Sequence, residues 1–174
     1  RSAHPDFERV PYAFAFRSRD RRLDFVLVSV HLKPDDDRAS RDRRRRELDA
    51  VARWIAERER ETSERDFLIV GDTNLADARE LKDATPEGFL SLNDECRATN
   101  TAPASPKPYD HAFFRPAFTT EVDQAFDLEV LDLAALVRPF WDSSRGAFPG
   151  DPYDHERFRR HYSDHRPVVF RFVL

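Results

Sequence analysis

Residues 67–74 read Phe67-Leu68-Ile69-Val70-Gly71-Asp72-Thr73-Asn74, an unbroken apolar run that passes directly into a glycine, a carboxylate and an amide. Four consecutive apolar residues leave neither face of a strand for solvent, so the run predicts a strand in the middle of a sheet covered on both sides. Gly71 lets the backbone turn or be approached closely. Asp72 and Asn74 lie two apart and project to the same side if the chain stays extended, one accepting protons and the other donating hydrogen bonds. The same residues also fit ordinary turn chemistry, with Asp72 or Asn74 capping a helix that starts near Leu75.

Around that strand there is material for one domain with a sizeable core and too little for two: 174 residues, 40% of them hydrophobic, with fifteen Phe. A net charge of −4 argues against holding nucleic acid by bulk charge and leaves room for a local basic groove. Lys33, Lys82 and Lys107 are the only lysines, so the basic residues are almost all Arg. That bias fits phosphate recognition by guanidinium forks, and a GC-rich coding bias, the preferred reading, explains it equally well. The single cysteine, Cys96, excludes an intrachain disulfide and a cysteine-based zinc site. No apolar run approaches the ~18 residues of a membrane span, and the charged N-terminus has no signal-peptide core. The compartment stays undetermined. Because the sequence starts at Arg1 and contains no methionine, a segment upstream of it is expected.

Outward from the central strand the pattern alternates between strand and helix. Val10 to Phe16 and Leu23 to Val30 predict a hairpin, and Lys33-Pro34 breaks regular structure after His31. Arg38 to Arg60 is helical in pattern, with Leu48, Val51, Trp54 and Ile55 as its apolar stripe. A short helix is expected near Ala76 to Lys82, then a proline-punctuated loop from Ala84 to Pro108. His111 to Phe114 is a short strand, Phe126, Leu128 and Val130 mark a half-buried one, and a helical turn follows around Leu131 to Val137. Arg138 to His161 is irregular apart from a short helix at His155 to Arg160. Pro167 to Val173 is a last strand with Val168, Phe170 and Phe172 on one face. The class is α/β, partly antiparallel.

Four strand ends carry polar groups: Ser29-Val30-His31-Leu32, Gly71-Asp72-Thr73-Asn74, Pro108-Tyr109-Asp110-His111 and Ser163-Asp164-His165-Arg166-Pro167. Strand ends hold acids and bases rigidly within hydrogen-bond reach. Each alone also reads as a turn or a surface hydrogen bonder. In this order they resemble the endonuclease/exonuclease/phosphatase superfamily, the DNase I-like fold. Gly71-Asp72-Thr73-Asn74 matches its Gly-Asp-x-Asn, and Ser163-Asp164-His165 with Pro167-Val168 its C-terminal Ser-Asp-His-x-Pro-Val; His31-Leu32 and Tyr109-Asp110 are weaker matches.

The resemblance implies a four-layer sandwich of two packed, mostly antiparallel β-sheets flanked by helices, with residues 1–174 forming the C-terminal portion of one such domain. It also implies hydrolysis of a phosphate ester assisted by Mg²⁺, or alternatively Mn²⁺ or Ca²⁺. In that chemistry water attacks phosphorus while negative charge grows on the phosphoryl oxygens. By the resemblance, Asp72 orients or deprotonates the water, and Asn74 donates to a phosphoryl oxygen or helps place that water. Asp110 and His165 form a dyad that keeps the imidazole charged toward the phosphate, and His31 is a second phosphate-contacting imidazole. Asp164 helps hold the metal. The family's metal-binding Glu and a first-strand Asn come from an N-terminal half that precedes these residues, and Glu8 does not match that Glu. The expected partners are therefore a nucleic acid or other phosphate-ester substrate and the other half of the domain. Nucleic-acid phosphodiesters are the leading substrate. Phospholipid or inositol phosphate head groups are the alternative, and a non-catalytic binding module is the reading from another class.

Other features have plainer readings. Arg41 to Arg46 wraps around a helix among acids and reads as a solvated face. Trp141 and Tyr153 read as packing residues, His155 and His161 as surface ones, and the side chain of His111 is expected to point away from that of Asp110. The loop Thr99 to Lys107 could line a substrate groove or simply be stiffened by its prolines.

Overall fold

The computed structural model describes residues 6–126 and 128–173. In chain order the strands are β1 (Tyr12–Arg17), β2 (Asp24–His31), β3 (Phe67–Asp72), β4 (Leu90–Ser91), β5 (Asp110–Phe114), β6 (Glu129–Val130) and β7 (Val168–Val169). The helices are α1 (Arg38–Glu61), α2 (Ala78–Ala84), α3 (Leu133–Val137) and α4 (His155–His161). The first five strands form one sheet in the order β1-β2-β3-β5-β4, so the apolar run is central as its composition requires. β2 and β3 are parallel and the other pairings in this sheet are antiparallel. β6 and β7 form a second, antiparallel sheet, with α3 and α4 carried in the connection between them.

The period of two along a strand sorts the residues of the large sheet onto two faces. Val28, Ile69 and Phe113 pack with Leu48, Val51 and Ile55 of α1 and Leu81 of α2. Leu68, Ala112 and Phe114 pack on the other side with Leu128, Val122 and the half-buried Val168, Phe170 and Phe172. The layers are therefore helices, large sheet, small sheet. Leu68 and Ile69, adjacent in sequence and serving opposite cores, are both fully buried.

Several expectations are corrected. The ladder of the last strand is confined to Val168–Val169, with an isolated bridge from Val122 to Phe172 farther along, although Val168, Phe170 and Phe172 do share one face. The strand expected over 126–130 pairs only at Glu129–Val130, and Asp127 lies outside the described residues. The stretch expected as loop contains β4, which joins the sheet edge by pairing Leu90 with Phe114. The short second helix starts at Ala78, where Asp77 caps it by accepting from the Glu80 backbone N–H.

The largest correction concerns the arginine run in α1. Arg44 is completely buried, so the run is not a uniformly solvated face. Its guanidinium donates through Nε and Nη2 to Glu80 Oε1 at 2.7 and 2.5 Å, and through Nη1 to the carbonyls of Lys33 and Asp35. Such a pair adds little net stability, yet removing one partner costs about 3–5 kcal/mol because the other charge stays buried.

Gly71 is where β3 meets the site. Its φ is +147°, and a Cβ there would lie 2.1 Å from the Val30 carbonyl oxygen of the parallel neighbour. Backbone pinned on both sides cannot move away. Gly71→Ala should therefore lower stability by about 2–4 kcal/mol, read by chemical denaturation; a change within about 0.5 kcal/mol, as at an ordinary surface site, would show that the sheet yields there.

Candidate active site

The sheet register assembles the site. His31 is the cross-strand partner of Asp72, and Asp72 is the partner of Asp110. All three fall on the face of the large sheet that looks toward the small sheet, at one end of β2, β3 and β5. His165, three residues before β7, reaches across to meet them. An isolated bridge between Asn100 and His165, with the hydrogen bond from Arg166 N–H to the Thr99 carbonyl, anchors that approach.

His165 Nδ1 lies 2.7 Å from Asp110 Oδ2. A carboxylate only accepts, so Nδ1 carries the proton. The bond to Asp110 pushes the His165 pKa up to about 9 against the opposing effect of burial, and the charges of Asp110, Asp72 and Asp164 add to the rise. The imidazole is thus cationic at neutral pH. Its Nε2 faces Asp72 Oδ2 at 3.6 Å, too far for a hydrogen bond, which leaves that N–H able to reach another acceptor. His31 Nε2 lies 3.2 Å from the same oxygen, on a half-exposed side chain. Burial raises the pKa of Asp72 from its ordinary value, against the pull of His165; Asp110 raises it further and His31 lowers it. Asp110, His165, Asp72 and His31 form a continuous line of alternating carboxylate and imidazole.

Asn74 belongs to the loop above that line. The chain does not stay extended past Asp72: Asn74 has φ +54°, and its backbone N–H donates to Asp72 Oδ1 at 3.1 Å. Its Nδ2 donates to the Leu32 carbonyl at 3.2 Å, bracing the loop after His31. The amide used that way retains a second N–H. Asp164 is exposed at the edge of the site, where its backbone carbonyl accepts from Thr101 N–H at 2.8 Å. His111 points to the opposite core, as expected, where its Nδ1 meets Ser91 Oγ at 2.8 Å and burial holds its pKa down to about 4.

The structure adds supporting contacts that the sequence reading did not give. The Tyr109 ring stands 6.1 Å from that of His165, and the Tyr109 carbonyl accepts from both the N–H and the hydroxyl of Thr73. Thr99 Oγ1 accepts from the Asp110 N–H. Glu80 was accessible through the Asp77-x-x-Glu80 spacing of a capping box, whereas Arg44 carried no local signal. Trp141 packs among Phe148, His161 and Tyr162, while the Tyr153 hydroxyl donates to the Thr101 carbonyl, in line with packing roles.

Mg²⁺ takes oxygen ligands, commonly one or two carboxylates together with water and substrate phosphate. Among the described residues no group of three or more His, Cys, Asp or Glu side chains converges to hold a metal. The exposed carboxylate of Asp164 fits as one ligand and does not complete a centre by itself.

With this geometry in place, solved structures provide the comparison. A Bacteroides thetaiotaomicron endonuclease/exonuclease/phosphatase family protein superimposes with a TM-score of 0.57 at 19% identity, over 91% of this chain and 52% of that one. The fold is that of the endonuclease/exonuclease/phosphatase proteins. Further structures of this fold are D. rerio TDP2 complexed with single strand DNA product, with a TM-score of 0.51 at 19% identity over 87% of this chain and 57% of that one, and a B. thetaiotaomicron mannosyl-6-phosphatase, with a TM-score of 0.53 at 16% identity over 92% and 55%. The chain spans little more than half the length of these structures. No family model matches the sequence, and no curated protein does.

The dyad makes a prediction about stability. A His165 pKa raised on folding from 6.5 to about 9 contributes stability that is fully present below pH 6.5 and is lost as pH rises through 9. Asp110→Asn should remove that alkaline loss and bring the His165 pKa, read from the ring protons by NMR, back toward its ordinary value. A His165 pKa near 6.5 in the unaltered protein would contradict the dyad.

Proposed function

We propose that this protein is a phosphoesterase assisted by a divalent metal, with nucleic-acid phosphodiesters as its leading substrate. The observation that carries the reading is the cross-strand row His31, Asp72 and Asp110 met by a charged His165 from the segment that leads into the second sheet. Two imidazoles flank one partly buried carboxylate, which is a fitting cradle for a phosphoryl group and its attacking water. Asp72, with its raised pKa, takes up or orients the proton of water. His165 offers its Nε2–H to a phosphoryl oxygen while Asp110 maintains its charge, and His31 contacts a second oxygen from the solvent side. The remaining amide N–H of Asn74 orients the water or the phosphate. Asp164 would hold Mg²⁺, with Mn²⁺ or Ca²⁺ as alternatives, together with a ligand outside these residues; the bound ion supplies neutralisation of the developing phosphoryl charge.

The reading includes a completing segment of the same fold. Tyr12, Phe14 and Phe16 on edge strand β1 are 68%, 51% and 49% exposed. On the other face of β1, Ala13 opens onto a groove of about 430 Å³ lined with Val28, Val51 and Trp54. A strand with one open edge and apolar residues over both faces calls for a covering partner, and the length of the structural neighbours supports one that belongs to the domain. The second reading, a phosphatase on a small head group or sugar phosphate, is favoured by the similarity to the mannosyl-6-phosphatase and by the net charge of −4.

The test is hydrolysis of single-stranded DNA, bis-p-nitrophenyl phosphate and p-nitrophenyl phosphate with Mg²⁺ by the full-length protein. Diester cleavage that falls about 10²–10⁴-fold in Asp72→Asn, with the fold retained by circular dichroism, is the expected result. Monoester cleavage alone would favour the second reading. Absence of any phosphate-ester cleavage by a folded, metal-loaded protein would overturn both.

A further inference from the structure

The loops that carry the candidate site are tied together from behind by one buried pair. The guanidinium of Arg44 takes the carbonyls of Lys33 and Asp35 at 2.9 and 2.6 Å, two and four residues beyond His31. It also holds Glu80 Oε1, while Glu80 Oε2 accepts the Ala76 N–H at 3.0 Å, two residues beyond Asn74. Between these anchor points, Leu32 N–H donates to the Asp72 carbonyl at 2.9 Å, and the Leu32 carbonyl accepts from Asn74 Nδ2. The loop after β2 and the loop after β3 therefore meet twice, once at Leu32 beside the site and once through the ion pair on the helix side. A surface helix needs no buried arginine for its own stability, and apolar residues of similar volume would fill the space without the cost of desolvating two charges. What they could not do is bond two carbonyls of one loop and an N–H of the other.

We infer that the Arg44–Glu80 pair is a positioning device that fixes His31 relative to Asp72 and Asn74. This rests on the phosphoesterase reading for its consequence in catalysis and stands on the geometry for its consequence in structure. An imidazole and a carboxylate already in contact at 3.2 Å lose function when their loops drift by an ångström, which costs a reaction on the order of 10²-fold without any group of the site being altered.

Removing one partner could unfold the protein, so the test uses the paired apolar replacement Arg44→Met with Glu80→Leu, alongside Arg44→Lys. One ammonium is too compact to serve Glu80 and both carbonyls in the fork geometry of arginine. The expected result in the full-length protein is a melting temperature close to that of the unaltered protein, kcat on phosphodiester lowered about 10–100-fold with KM changed much less, and a smaller loss in Arg44→Lys. Amide hydrogen exchange gives the readout independent of activity: the N–H groups of Leu32, Asn74 and Ala76 should exchange faster, with Leu48 and Ile69 unchanged. Faster exchange at those loops in a protein that cleaves no phosphate ester would uphold the positioning role and reject the phosphoesterase reading. Unchanged exchange at those three amides, or an unchanged kcat in an enzyme that does cleave phosphodiesters, would overturn the positioning role.

Discussion

Everything in the site depends on the register of β3 between β2 and β5. That one strand is parallel to its neighbour on one side and antiparallel on the other, and it aligns His31 with Asp72 and Asp72 with Asp110 in a single row. A slip by one residue would send Asp72 to the helix face and Gly71 to the site face. The register is held by residues that have nothing to do with chemistry: Leu68 and Ile69 fill opposite cores, and Gly71 alone tolerates the approach of the Val30 carbonyl. Hydrophobic alternation thus determines where three polar side chains stand.

Charge is handled differently on the two sides of the sheet. On the helix side Arg44 and Glu80 are buried and fully committed to each other and to backbone groups of two loops. On the site side the groups are only partly covered, and their contacts leave capacity over. His165 is tied at Nδ1 and loosely placed at Nε2, and Asp72 is poised between two imidazoles. A committed network is suited to holding geometry, and a partly satisfied one to meeting a ligand that completes it.

How much of this could be read from the sequence follows from how local each feature is. The central strand was legible because its apolar run needs no partner to declare itself, and the long helix because Leu48, Val51 and Ile55 repeat at helical spacing. The convergence of His31, Asp72, Asp110 and His165 was legible through the resemblance carried by their motifs, since no periodicity links a residue at 110 to one at 165. β4 was missed because two residues at a sheet edge have no pattern of their own. Arg44 was hidden among four neighbouring arginines and an aspartate; its burial is decided by Glu80, 36 residues away, and by two carbonyls. The turn at Asn74 departed from an extended chain because the Asp72 carboxylate bonds the Asn74 N–H and favours a left-handed residue there.

The most direct test of the account is the pH dependence of kcat/KM for phosphodiester cleavage, measured in the unaltered protein and in Asp110→Asn. A carboxylate that must be ionised and an imidazole that must be charged give a bell, with its alkaline limb near the His165 pKa of about 9. The account predicts that this limb moves to lower pH when Asp110 loses its charge. An activity that stays level through pH 9, or an alkaline limb that Asp110→Asn leaves in place, would contradict the assignment of a charged His165 at the phosphate.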